Sequence, residues 1–115
     1  MSQAPATETD LDRLFGALAD PTRRAIVARL SQADAGVIEL TGHFPMSQPA
    51  ISKHLRVLES AGLVTRERDG RRRLCHLNPA ALQPVSEWVW PYRRFWAESF
   101  SRLNALLAAG PEGNS

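Results

Sequence analysis

The chain has 115 residues, 43% of them hydrophobic, which suffices for one domain with a real core and is too short for two. A formal net charge of +2 names no partner by itself, and no apolar run approaches the length of a membrane span. Met1–Glu8 is polar and lacks the apolar centre of a signal peptide, so the expectation is a cytoplasmic protein without a membrane partner. One cysteine, Cys75, leaves no internal disulfide.

In chain order, residues 1–8 read as a flexible tail and residues 9–109 as the domain. Leu11, Leu14, Phe15 and Leu18 follow the spacing of an amphipathic first helix. Asp20-Pro21 breaks it and opens a second helix over about Pro21–Ser31, with Asp20 as N-cap and Ile26, Val27 and Leu30 inward. Gln32–Gly36 reads as a polar loop. A third, brief helix over Val37–His43 is expected to bury Ile38 and Leu40, with Phe44-Pro45-Met46 as a tight connection.

The fourth helix organises the rest. Ser47 is its N-cap, Pro49 lies in the first turn where a missing N–H costs nothing, and Gly62 supplies the left-handed stop. Ala50, Ile51, Leu55 and Leu58 make its apolar face, while Gln48, Ser52, Lys53 and Arg56 make a polar face with no carboxylate until Glu59. Such a face suits the acceptor-rich major groove of DNA. Two short helices joined by a tight turn, the second of them basic, form a helix-turn-helix.

After Gly62 the period becomes extended. Leu63–Arg68 and Arg71–Leu77 flank Asp69-Gly70, a favoured two-residue hairpin turn. That turn would set Arg68 opposite Arg71, Glu67 opposite Arg72 and Arg66 opposite Arg73. Like charges face to face destabilise a hairpin unless an anion lies beside them. The hairpin therefore reads as a wing, with Arg68, Arg71 and Arg72 toward the phosphate backbone or a narrow minor groove. Residues 47–76 hold seven of the fourteen cations and only three of the twelve acids. Charge so concentrated is the footprint of a nucleic-acid contact.

From Pro79 or Ala80 a helical segment runs to about Ala109, bent at Pro91, before a short tail over 110–115. Trp88, Tyr92, Phe95, Trp96, Phe100 and Leu103 line one broad side, more aromatic surface than a lone terminal helix uses. With Leu11, Leu14 and Phe15 it predicts a homodimer interface. The fold expected is α+β: a mainly α winged helix-turn-helix, dimeric through its terminal helices.

Three segments together, Ala17–Ile26, Met46–Leu58 and Ala61–Val64, resemble ArsR-type (ArsR/SmtB) bacterial transcriptional regulators over roughly residues 10–107. The aromatic stretch Trp90–Trp96 resembles a subgroup of small, metal-free members. The resemblance implies a dimeric winged helix that represses its own or a neighbouring operon by binding palindromic double-stranded DNA. Gln48, Ser52 and Lys53 would read base edges, Ser47, Pro49 and Arg56 would sit at the phosphates, and Arg68, Arg71 and Arg72 would flank them. Metal-sensing relatives carry a Cys-x-Cys pair or a set of Asp, His and Glu ligands on the last helix. The stretch Glu39–His43 has no cysteine and the last helix no histidine, so no metal or other cofactor is expected. Cys75 and His76 are adjacent in a strand and point to opposite faces. His54, at the edge of the buried stripe, reads as packing, with base contact as its alternative. A small-molecule effector at the aromatic interface is left open. The rival function is a winged helix that docks an acidic protein; nothing arranges the side chains for enzymatic catalysis.

Overall fold

A computed structural model describes residues 8–114. The expected N-terminal tail falls on residues that, apart from Glu8, lie outside this range. The chain divides into two compact units, residues 1–85 and 86–115. The first contains α1 (Glu8–Leu18), α2 (Pro21–Leu30), β1 (Ala35–Gly36), α3 (Val37–His43), α4 (Gln48–Ser60), β2 (Val64–Asp69) and β3 (Arg72–Leu77). A 3-10 turn over Pro79–Leu82 follows and leads into α5 (Gln83–Val89).

Each helix boundary has a local cause. The Asp20 carboxylate accepts from the Arg23 backbone N–H at 3.1 Å and Pro21 occupies the first turn of α2. The last carbonyls of α1 are taken up from beyond it: Arg23 Nε donates to Ala17 O at 2.7 Å and Arg24 Nη1 to Leu18 O at 2.8 Å. Ser47 caps α4 through the Ala50 N–H at 3.3 Å. At the other end the Leu63 N–H reaches Leu58 O and the Gly62 N–H reaches Glu59 O, with Gly62 at φ +79°. That is a Schellman stop, whose left-handed residue is glycine because any Cβ would strain it.

Ile51, Leu55 and Leu58 of α4 are fully buried and form the centre of the core with Ile26, Leu40, Leu63, Val64 and Cys75. Leu14 differs from its expectation. Expected at a dimer interface, it is 3% exposed and packs into the core of its own chain. Leu14, Ala17 and Leu18 recur at helical spacing, and this stripe is consumed internally, which leaves Phe15 on the exposed flank. Ile38 also differs: it is 78% exposed. Helix α3 begins at residue 37, so Val37, Leu40 and Phe44 fall on its inner face and Ile38 is rotated outward.

The sheet holds three antiparallel strands in the order β1-β3-β2. Strand β1, expected as loop, pairs Ala35 with Cys75 and Gly36 with Leu74. Two residues are too few to show a period of two. The hairpin register also differs from that expected. Arg68 opposes Arg73, Asp69 opposes Arg72 and Glu67 opposes Leu74, so the turn is Gly70-Arg71 and not Asp69-Gly70. Gly70 has φ +67° while Arg71 has none of the left-handed character. Glycine at the first central position is the demand of a type II′ turn. A shift of two leaves every side chain on its expected face.

In the second unit a 3-10 turn over Trp90–Tyr92 separates α5 from α6 (Arg93–Asn114). The expected bend at Pro91 is thus a change of helix type, and α6 runs past residue 109 into the stretch read as a tail. Within this unit Arg93 stacks over Trp90 at 3.8 Å and Trp88 packs against Tyr92 at 5.6 Å between ring centroids. No helix among the described residues is long and apolar enough to cross a membrane.

If the buried stripe of α4 holds the first unit together, Leu55→Ala should lower unfolding free energy by about 3 kcal/mol, within the range for large-to-small core substitutions. Urea denaturation checks this: the midpoint should fall with an unchanged slope.

Candidate nucleic-acid interface

With Ile51, Leu55 and Leu58 inward, helical geometry fixes where the polar residues of α4 emerge. Gln48, Ser52 and Glu59 lie along the flank toward the wing, and Pro49, Lys53 and Arg56 along the outward face. His54 lies on the opposite flank, toward α2. Gln48, Pro49, Lys53 and Arg56 are exposed and Ser52 half-buried. The Ser47 hydroxyl oxygen is used in capping, which leaves its proton free to donate outward.

Between α3, α4 and the hairpin runs an open cleft lined by Ile38, Glu39, Gln48, Ser52, Arg66, Arg71, Arg72 and Arg73. The fold thus joins two candidates from α4, Gln48 and Ser52, to Arg71 and Arg72 of the wing. It leaves Lys53 and Arg56 on the outward face and Arg68 outside the cleft. Arg66, Arg73 and Ile38 line the cleft without having been assigned there. Arg73 carried only the signal of its place in the Arg71–Arg73 run at the hairpin tip. Arg66 and Ile38 carried none that short-range patterns supply.

Two acid–base pairs tie the hairpin to helices α3 and α4, and His76 of β3 meets two further carboxylates. Arg66 Nη2 meets Glu59 Oε1 of α4 at 3.0 Å, with the arginine side chain only 17% exposed. Arg72 Nη2 donates to Glu39 Oε1 of α3. His76 Nδ1 lies 2.7 Å from Asp34 Oδ2, just before β1, and its Nε2 lies 3.5 Å from Glu67 Oε2. Arg72, expected at the flanking backbone or minor groove, is paired with a carboxylate of its own chain.

Glu39 also accepts from the Gly36 backbone N–H at 3.0 Å, closing the start of α3. That N–H, and then the Arg72 guanidinium, hold the Glu39 carboxyl below the usual carboxylate range. Asp20 is lowered likewise, first by the Arg23 backbone N–H and further by the nearby His54. His54 Nδ1 stands 3.3 Å from Arg23 Nη1 and 3.9 Å from Asp20, so its ring is occupied by the α1–α2 junction. This is the packing role, away from the cleft. Burial pushes the Cys75 thiol up, which keeps it protonated and a poor nucleophile or ligand. Among the described residues no three His, Cys, Asp or Glu side chains cluster as a metal set.

Residues 20–66, from the cap of α2 into β2, match the family described as bacterial regulatory protein, arsR family. The HTH-type transcriptional regulator Rv2034 of Mycobacterium tuberculosis is 42% identical over 96 residues, spanning 84% of this chain and 87% of that protein. The chain belongs to the ArsR family. The transcriptional repressor SdpR of Bacillus subtilis is 34% identical over 79 residues, 69% of this chain and 88% of its own length. Among solved structures, the ArsR family transcriptional regulator RHA00566 superposes with a TM-score of 0.71 at 35% identity, covering 82% of this chain and 97% of that one. An ArsR-like regulator from Rhodococcus sp. RHA1 covers 89% of this chain with a TM-score of 0.66. This ArsR-family chain is a DNA-binding transcriptional regulator with a winged helix-turn-helix fold, not an enzyme.

The two depressed carboxyls set an acid limb for stability. A folded-state value below the unfolded one stabilises fully above the unfolded value, here 3.8 for Asp20 and 4.5 for Glu39, and that contribution is lost as pH falls through the lowered values. Thermal melts between pH 7 and pH 2.5 should show a decline beginning below about pH 4.5. Asp20→Asn should be less stable at neutral pH and show a shallower decline; an unchanged acid limb would rule out Asp20 as a contributor.

Proposed function

We propose that the chain acts as a homodimeric repressor of its own or a neighbouring operon, binding a palindromic site. Gln48, Ser52 and Lys53 read base edges, Gln48 being suited to adenine and Lys53 to guanine. Ser47, Arg56 and the N-terminal turn of α4 around Pro49 hold phosphates. Arg68, Arg71 and Arg73 flank them from the wing. The observation that carries this reading is the shared cleft, which sets Gln48 and Ser52 beside the wing arginines on one exposed side.

Dimerisation draws on the second unit. Trp88, Trp90, Tyr92, Phe95, Trp96 and Phe100 are all exposed in the single chain, followed by Leu103, Leu106 and Leu107 along α6. A surface so apolar is suited to a second copy, with Leu11 and Phe15 of α1 contributing and Leu14 not. A two-fold axis would carry two recognition helices to the two halves of a palindrome. A small-molecule effector, if one acts, would be sought at this aromatic surface.

Binding to the DNA upstream of the regulator's own gene, against a scrambled duplex and titrated with salt, tests the reading. Gln48→Ala should lower affinity for the upstream DNA at least about thirtyfold and spare the scrambled duplex, as loss of one base contact worth about 1–3 kcal/mol in each half-site requires. Arg71→Ala should weaken both duplexes alike and reduce the slope of log affinity against log salt by about 1.8, one phosphate contact per protomer. Equal loss on both duplexes for Gln48→Ala would remove its base-reading role. Equal, weak binding of the wild type to both would favour an acidic protein partner.

A further inference from the structure

We propose that Arg72 does not bind phosphate and that Glu39 withholds it, which makes the pair a positioning device that sets how selectively the wing engages DNA. The inference rests on the DNA-binding reading of the cleft and changes which of its arginines carry the contact.

The Glu39 carboxylate lies where three elements meet. It accepts from the Gly36 N–H at the start of α3 and from the Arg72 guanidinium at the start of β3. Gly36 is itself a residue of β1, paired to Leu74 of β3. The groups of this knot lie within van der Waals reach of one point. A Cβ at Gly36 would sit 3.4 Å from Glu39 Oε1, 3.5 Å from the Arg73 carbonyl oxygen and 3.7 Å from Arg72 Nη2. Helix α3, strand β1 and the root of the hairpin turn are therefore tied through one side chain.

Charge then decides what the neighbours do. A phosphate approaching Arg72 meets a guanidinium whose charge is already offset by the Glu39 carboxylate, which repels a second anion. Arg71 and Arg73, on either side of Arg72, are exposed, and among the described residues neither is paired with a carboxylate. Arg71 and Arg73 line the same cleft as Gln48, beside the Arg72–Glu39 pair. Holding Arg72 thus fixes the hairpin while its two neighbours supply the cationic contact. An unheld Arg72 would add a sequence-independent phosphate contact, raising affinity for any duplex and lowering the ratio between operator and random DNA.

The salt dependence of binding separates this from a merely structural ion pair. Glu39→Gln keeps an oxygen for the Gly36 N–H and removes the charge that holds Arg72. It should bind scrambled duplex several-fold more tightly than wild type, with a salt slope steeper by about 1.8, one phosphate contact per protomer. Arg72→Ala should leave the slope on scrambled duplex at the wild-type value, while Arg71→Ala and Arg73→Ala each reduce it by about 1.8. On upstream DNA Arg72→Ala should lose several-fold in affinity because the wing is no longer positioned. Circular dichroism melts of each variant keep unfolding from being mistaken for a binding effect. A slope for Arg72→Ala reduced as much as for Arg71→Ala would overturn the proposal, as would a Glu39→Gln variant identical to wild type on both duplexes. Salt-independent wild-type binding, with no effect of Arg71→Ala, would instead overturn the DNA-binding reading of the cleft on which it rests.

Discussion

The structure depends on helix α4 being buried on one face and bare on the other. Ile51, Leu55 and Leu58 are completely enclosed, and one turn away Gln48, Lys53 and Arg56 are exposed. Burying three such side chains contributes several kcal/mol, roughly 1.5–3 kcal/mol each, and fixes the rotation of the helix about its axis. Once that rotation is fixed, the polar residues have no freedom in where they point. The caps then fix its position along the axis: Ser47 at one end and the Gly62 stop at the other. The recognition surface is thus a consequence of core packing, not an independent feature laid on the outside.

The same economy explains the junction between α1 and α2. Asp20, Arg23 and Arg24 are charged, but they are spent on helix ends: a carboxylate on backbone N–H groups and two guanidinium groups on carbonyl oxygens. His54 reaches this junction from α4, so the recognition helix is tethered on its far flank by polar contacts and on its near flank by Glu59 and Arg66. Opposed tethers resist rocking of the helix about its apolar stripe, which a hydrophobic contact alone resists poorly because it has no direction.

What was legible in the sequence follows from what is local. Caps, the breaker at Asp20-Pro21, the amphipathic stripe of α4 and the hairpin are each decided by residues within a few positions of one another, and the structure has each of them. Leu14 was placed on the right face of α1 but given the wrong neighbour, because periodicity shows that a face is apolar and not what covers it. Ile38 failed for the opposite reason. In a helix of seven residues, two adjacent apolar side chains cannot both face inward, and only the start of the helix decides between them. The hairpin turn was misjudged because Asp69-Gly70 and Gly70-Arg71 both put glycine where a positive φ is allowed. Strand β1 and the Glu39–Arg72 pair join residues far apart in the chain, and no short window over the sequence contains both partners; Glu59 and Arg66 are near in sequence but lie on either side of the helix stop at Gly62, across a change of period.

Charge counted along the sequence therefore overstates the charge offered to DNA. Residues 47–76 look uniformly basic, yet Arg66 and Arg72 are matched by Glu59 and Glu39, and Glu39 lies outside that block. The remaining cations, Lys53 and Arg56 on α4 and Arg68, Arg71 and Arg73 on the wing, are all exposed. A protein that presented every arginine would gain affinity for all DNA equally, since phosphate contacts carry no sequence information. On the proposed reading, occupying some of them internally costs affinity where it is unspecific and leaves the α4 residues assigned to the bases a larger share of the binding energy. Acidic residues placed against the basic block would then take part in selecting a sequence, and they would act by limiting attraction.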